Sequence, residues 1–176
     1  MAQRASGFTL VELMITLAIT GILAGVSIPS MQAFIEHQRT SSAISTLNSH
    51  IALARISAVT HNQRTVLCPT TNGQTCAGGT DWSLGWMVFA DKNNNRKLDA
   101  KDEVLQTDLA PSNRHLRIVS SIGRQQLRYL PDGRSAGSNL TLSVCNAKGE
   151  VLGRVIVNNV GRPRSERPKQ PTACPA

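Results

Sequence analysis

The stretch "GFTLVELMITLAITGILAGVSIP", Gly7 to Pro29, decides how the rest of the chain must be read. A polar leader holding Arg4 precedes it, and from Phe8 to Ile28 the residues are apolar or small with one charge, Glu12. A run of about 20 such residues is what a helix needs to cross a bilayer. A secretory signal carries its small-residue cleavage site after the apolar block and loses that block on maturation. Here Ala5, Ser6 and Gly7 stand before it, so a cut at the small residues keeps the helix. An acid inside an apolar helix is costly unless it finds a partner, which makes Glu12 a functional residue by default.

The residues "GFTLVE", Gly7 to Glu12, resemble the processing motif of the type IV prepilins. The resemblance implies a cut between Gly7 and Phe8 by a prepilin peptidase, methylation of the new amino terminus at Phe8, and retention of the apolar helix. Glu12 then becomes the fifth residue of the mature chain and pairs, in a filament of parallel helices, with the Phe8 amine of a neighbouring subunit. By the same resemblance, residues 1–7 are expected to be the leader and residues 8–29 a helix that spans the bacterial inner membrane once before assembly and lines the filament core afterwards. Gly21, Gly25 and Pro29 suit a helix that packs closely and bends near the membrane exit.

A chain of 176 residues has room for one globular unit beside this helix. Basic residues outnumber acidic ones 19 to 11, giving a net charge of +8. That balance favours polyanions without choosing among nucleic acid, anionic lipid and acidic polysaccharide. The four cysteines, Cys68, Cys76, Cys145 and Cys174, lack the CxxC spacing of zinc or thioredoxin sites. An even count in an exported chain implies two disulfides. Of the three pairings possible, Cys68 with Cys76 and Cys145 with Cys174 is preferred: one closes a small loop and the other ties the C-terminal tail to a strand.

From Met31 to Val59, Phe34, Ile35, Ile44, Leu47, Ile51, Leu53, Ala54 and Val59 recur at spacings near three and four, which predicts an amphipathic continuation of the helix over 30–59. His37, His50 and His61 lie on or just after it, with no ligand constellation around them, and are expected to be ordinary surface residues. Then come short β-branched or alternating runs, "RTVLC", "WSLGWMVFAD", "LRIVSSI", "QLRYLP", "NLTLSVCN" and "EVLGRVIVNN", separated by Gly, Asn, Pro and Asp. The fold class is therefore α+β, a long N-terminal α-helix packed on an antiparallel β-sheet domain over 30–160, with a basic tail over 161–176. The segments "WSLGWMVFADKNNNRKLDAKDEVL", "LRYLPDGRSAG" and "LTLSVCNAKGEVLGRVIVNNVGRPR" resemble the FimT/GspH family of minor pilins and pseudopilins, and the FimT branch in particular. The resemblance implies a type IV pilin-like fold and a filament of other pilins or pseudopilins as the setting.

Candidate sites are few. Asp91, Asn93, Asn95 and Asp99 are spaced like calcium ligands of an EF-hand loop, but Arg96 stands at the sharp-turn position, and Lys92, Lys97 and Lys101 oppose a cation. A polar hairpin loop without metal is the simpler expectation. Trp82, Trp86 and Phe89 suit core packing better than a base-stacking platform. No GxSxG, HExxH or glycine-rich phosphate loop occurs, so neither an enzyme nor a cofactor is expected.

The sharpest candidate is "GRPR", Gly161 to Arg164. Two guanidinium groups lie two residues apart on a backbone stiffened by Pro163, and the arginine fork matches phosphate oxygens. Gly161 permits a turn or a close approach to phosphate, and Arg154, Arg167 and Lys169 extend the patch. The resemblance matches this stretch to the GRxR motif of the FimT branch, which implies capture of extracellular double-stranded DNA, largely independent of sequence, for uptake in natural transformation. The alternative is a purely structural minor pilin or GspH-like pseudopilin of a type II secretion system.

Overall fold

The computed structural model describes Gly7, residues 9–109 and residues 115–175, without the side chains of 26–30. It divides into two units, residues 1–38 and 39–176. One helix, α1 (Leu10–Thr60), carries sequence in both. Its start is set by Thr9, whose hydroxyl oxygen accepts the Glu12 amide hydrogen bond at 3.2 Å, the side-chain arm of a capping box with Glu12 three residues on. Around the first turns Leu10, Val11, Leu13, Met14, Ile15, Leu17, Ile19, Ile22 and Leu23 are each more than half exposed. A helix apolar on every side needs lipid or other helices around it.

The second unit holds every buried side chain described, from Thr40 onward, and both disulfides. Its strands form two antiparallel four-stranded sheets. The first has the order β3 (Glu103–Leu109), β2 (Gly85–Asp91), β1 (Arg64–Pro69), β5 (Leu127–Tyr129). The second runs β4 (Leu116–Ser120), β6 (Leu140–Asn146), β7 (Val151–Val157), β8 (Pro163–Glu166). The helix lays Ala43, Leu47, Ile51, Ala54 and Ala58 into one core with Leu67, Trp86, Val88, Leu127 and Tyr129 of the first sheet and Ile118, Leu142, Val144, Val155 and Val157 of the second. On the far face of the first sheet Val66, Cys68, Met87 and Phe89 make a smaller cluster, joined by Cys76 and Leu98.

The helix stripe is narrower than expected. Phe34, Ile35, Leu53 and Val59 are exposed, because the buried row follows spacings of four, four, three and four from Ala43, and Leu53 and Val59 lie off it. β3 pairs antiparallel with β2 and completes the hairpin expected around the Asp91 to Glu103 loop, although it is polar and half-exposed at a sheet edge. β8 is the strand not expected, because it falls within the stretch read as a tail. Pro29, where a bend is expected, lies within α1 among the residues described without their side chains. The expected membrane span lies partly outside the described residues, and no described stretch is long and apolar enough to cross a membrane.

His50 is not the ordinary surface residue expected. The Trp86 indole N–H donates to its Nδ1 at 2.8 Å, and burial pushes the imidazole below its usual value, with Asp108 opposing more weakly. Protonation would place a second N–H where Trp86 donates. The folded value lies below the unfolded one of about 6.5, so stability is complete above that pH and falls as pH drops toward the folded value. Urea melts at about pH 7.5 and about pH 5 should show this loss, and His50→Gln should remove that part of it. An unchanged pH slope in His50→Gln would assign the loss to other groups.

Candidate nucleic-acid interface

The residues expected to form a loose tail are built into the second sheet. β8 pairs with β7 in the register Arg154↔Glu166, Val155↔Ser165, Ile156↔Arg164 and Val157↔Pro163. Pro163 and the charges make this possible only at an edge, where a missing N–H costs no ladder bond. Arg154, Arg164 and Glu166 share the outer face, whereas Ser165 points to the helix and its hydroxyl accepts from the Asn48 side chain at 2.7 Å. Beyond the strand, the Val151 amide donates to the Thr172 carbonyl and the Cys174 amide to the Gly149 carbonyl. The Cys145–Cys174 disulfide closes that end, and Cys68–Cys76 closes the loop after β1.

Gly161 anchors the other end and is buried, with φ at +81°. Its amide donates to the Asn158 carbonyl at 2.8 Å, and its own carbonyl accepts the Tyr129 hydroxyl at 2.9 Å. A Cβ here would collide with the Gly133 carbonyl oxygen and the Tyr129 ring. Burial pushes the Tyr129 phenol up to about 12, so this hydroxyl stays a donor through neutral pH. Gly161 makes the turn that its sequence position allows, and the protein atoms packed beside its Cα set the path of the residues that follow.

Arg162 is exposed, and its amide donates to the Asn158 side chain at 3.3 Å. The Arg164 side chain is 73% exposed. Glu166 lies 4.0 Å from Arg164 and 3.8 Å from the more buried Arg154, so one carboxylate faces two guanidinium groups. Exposed pairs of this kind contribute about 0–1 kcal/mol, little against a competing phosphate. Arg167 and Lys169 are exposed just beyond the strand.

The Asp91 to Glu103 loop is closed by its own amides. Asp91 accepts from the amides of Asn95 and Arg96, Asp102 from those of Lys92 and Asp99, and the Lys97 amide donates to the Asn95 side chain. The Lys101 amide, and after it the Asn93 side chain, hold the Asp99 carboxyl below its usual range. Asp91, Asn93, Asn95 and Asp99 thus spend their oxygens on the turn, and among the described residues no cluster of three or more His, Cys, Asp or Glu could hold a metal. Trp82, Trp86 and Phe89 are fully buried and offer no platform for bases. For the assembly residues, Glu12 is described at the capped helix start, whereas Phe8, the other side of the expected cut and the amine it is expected to meet, lies outside the described residues.

Comparison with known proteins gives two family matches. The family described as "Type II transport protein GspH" matches residues 43–161, and the "Prokaryotic N-terminal methylation motif" matches residues 2–28. A pilin-like protein PilA1 of Thermus thermophilus is 28% identical over 164 residues, covering 91% of this chain and 97% of that protein. Among solved structures, the type IV minor pilin FimU of Pseudomonas aeruginosa superposes with a TM-score of 0.60 at 18% identity, covering 80% of this chain and 98% of FimU. GspH of E. coli gives 0.53 at 14% identity, covering 75% and 90%. These likenesses bear on the fold, and none of the compared names mentions a nucleic acid.

Proposed function

The chain belongs to the GspH family of minor pilins and pseudopilins, and we propose that within that class it is a minor type IV pilin that binds extracellular double-stranded DNA for uptake. In this reading a prepilin peptidase cuts between Gly7 and Phe8, the helix anchors the chain once in the inner membrane, and Glu12 meets the Phe8 amine of a neighbour as the filament forms. The globular unit then stands in the periplasm or outside the cell. Its work is assembly and binding rather than catalysis.

The observation that carries the DNA reading is the placement of Arg162 and Arg164. Both are exposed, Arg164 on the edge strand that the β7 ladder fixes and Arg162 between that strand and the buried Gly161. Two forks on an ordered strand lose less entropy on meeting phosphates than two on a free tail. Arg167 and Lys169 add charge past the strand, and Arg154 contributes less, being partly covered beside Glu166. Contacts of this kind are independent of sequence and give dissociation constants of roughly 10⁻⁴ to 10⁻⁶ M per subunit. Several copies in one filament raise the avidity.

A purely structural minor pilin or secretion pseudopilin is the second reading, favoured by the neutralising position of Glu166 between Arg154 and Arg164. Electrophoretic shift of a duplex by residues 30–176 separates the two, since this fragment keeps every described buried side chain and both disulfides. Changing Arg162 and Arg164 together to Gln should weaken binding about tenfold or more and lower the salt slope by about 2. A duplex shift unaltered by the double change would sink the DNA reading of this edge.

A further inference from the structure

The second unit carries another cationic feature, on the face of the first sheet away from the helix. A cavity of about 350 Å³ is lined by Arg96, Arg124, Gln126, Arg128 and the Ala136–Gly137 backbone. An adjoining cavity of about 320 Å³ shares Arg96 and Gln126 and brings in Lys97. Volumes of this order suit a small ligand or a single unit of a longer one.

Among the described residues, Arg96, Lys97, Arg124 and Arg128 make no ion pair. Arg124 is 8% exposed, and three of its contacts fix the guanidinium: Nε donates to the Gln126 carbonyl at 3.3 Å, and Nη2 donates to the Ser135 hydroxyl at 3.0 Å and the Ala136 carbonyl at 2.7 Å. Its Nη1 is buried with no partner among the described residues, and so is Nε of Arg128. Desolvation, then the neighbouring Arg128, pushes the Arg124 guanidinium down, while Arg128 is pushed down by desolvation, Arg96 and Arg64, with Asp91 opposing. Both carboxylate oxygens of Asp91 are occupied by the amides of Asn95 and Arg96. A buried donor left unmade costs free energy, and like charges gathered around it add to the cost.

Arg96 adds a separate sign. It sits at φ +65°, in the left-handed region that costs a side-chain-bearing residue energy and that glycine takes without strain. Strain held in place at the rim of a cationic pocket points to a use for the side chain.

From the unpaired guanidinium atoms and the cavity that their residues line, we propose that Arg96, Arg124 and Arg128 form an oxyanion site that takes a phosphate group. Arginine forks pair with phosphate bidentately, and the free Nη1 and Nε supply the missing donors. The phosphate comes from one of two sources, free in solution or as the phosphodiester of a nucleic acid. The site does not depend on the β8 arginines, although Ser135 links the regions: its hydroxyl meets Arg124, and its amide donates to the Asn159 carbonyl just before Gly161.

The test follows the arginine Nε–Hε resonances of nitrogen-labelled residues 30–176 while sodium phosphate replaces sodium chloride at constant ionic strength. Saturable shifts at Arg124 and Arg128 are expected, weakened at least tenfold in Arg128→Gln. That variant removes no hydrogen bond described here, whereas Arg124→Gln breaks three and risks unfolding. A short DNA duplex added to the Arg162→Gln, Arg164→Gln variant then separates the sources. Shifts at Arg124 and Arg128 identify a phosphodiester, and shifts with inorganic phosphate alone identify the free anion. Absence of saturable shifts with both probes, or shifts that persist unchanged in Arg128→Gln, overturns the site. The DNA reading of β8 fails separately, when the electrophoretic duplex shift is unaltered by changing Arg162 and Arg164 to Gln.

Discussion

Gly161→Ala is expected to destabilise the globular unit by about 2–5 kcal/mol, the left-handed backbone cost plus overpacking against fixed atoms. The added methyl has no route of escape, because it meets the Gly133 carbonyl oxygen and the Tyr129 ring rather than the end of a flexible side chain. Displacing the strand start would also break the Tyr129 hydroxyl bond to the Gly161 carbonyl and leave two buried polar atoms unmatched. Gly149 is the control: its φ is +78°, but nothing lies within 4 Å of a Cβ built there. Gly149→Ala should therefore cost only the backbone share, about 1–2 kcal/mol. Urea denaturation of both variants checks the comparison, and equal losses would show that the close packing at Gly161 contributes nothing.

Replacing Cys145 and Cys174 together by serine should cost about 3–4 kcal/mol, because the bridge spans 29 residues of chain and removes much of the freedom of the unfolded state. The Cys68–Cys76 bridge spans 8, and its loss should cost about 2–3 kcal/mol by the same relation. The order of the two effects is the sharper expectation, since the absolute values shift with structure retained in the reduced chain. A larger loss from the Cys68–Cys76 pair would mean that its packing in the outer cluster, not chain entropy, sets its contribution. The longer bridge also holds residues 167–174 near the β7 end of the sheet, so its removal should loosen Arg167 and Lys169 more than Arg164, which the ladder retains.

Much of this architecture could be read in advance where local pattern and tertiary demand agree. The helix was legible from its spacing, and six strands from β-branched runs bounded by turn residues. The relation of chain position to charge was legible too, from the GRPR stretch. What escaped was of two kinds. β8 has a sequence that looks like loop because an edge strand buries little and carries charge and proline, so periodicity is silent there. The arginine cavity escaped because Arg96, Arg124 and Arg128 come from separate segments that only the sheet and its loops bring together. The role of His50 is hidden in the sequence for a related reason: its partner, Trp86, lies 36 residues away. A buried glycine at Gly161 gave the opposite difficulty, since its sequence context fitted phosphate approach and backbone packing equally well.

The outer edge of β8 has a consequence for what it admits. A strand with one open edge invites the backbone of another chain, which makes such an edge an aggregation hazard. Pro163 offers no N–H there, and Arg162, Arg164, Glu166 and Arg167 crowd an incoming peptide with charge. A polyphosphate backbone has no peptide groups to seek a ladder and many oxygens to offer the guanidinium forks. In the proposed DNA reading, the same residues that repel a foreign strand would leave the edge open to a polyanion and make it a filter between two kinds of polymer. Truncating both arginines to alanine would remove the filter along with the charge and invite aggregation, whereas glutamine preserves a polar edge.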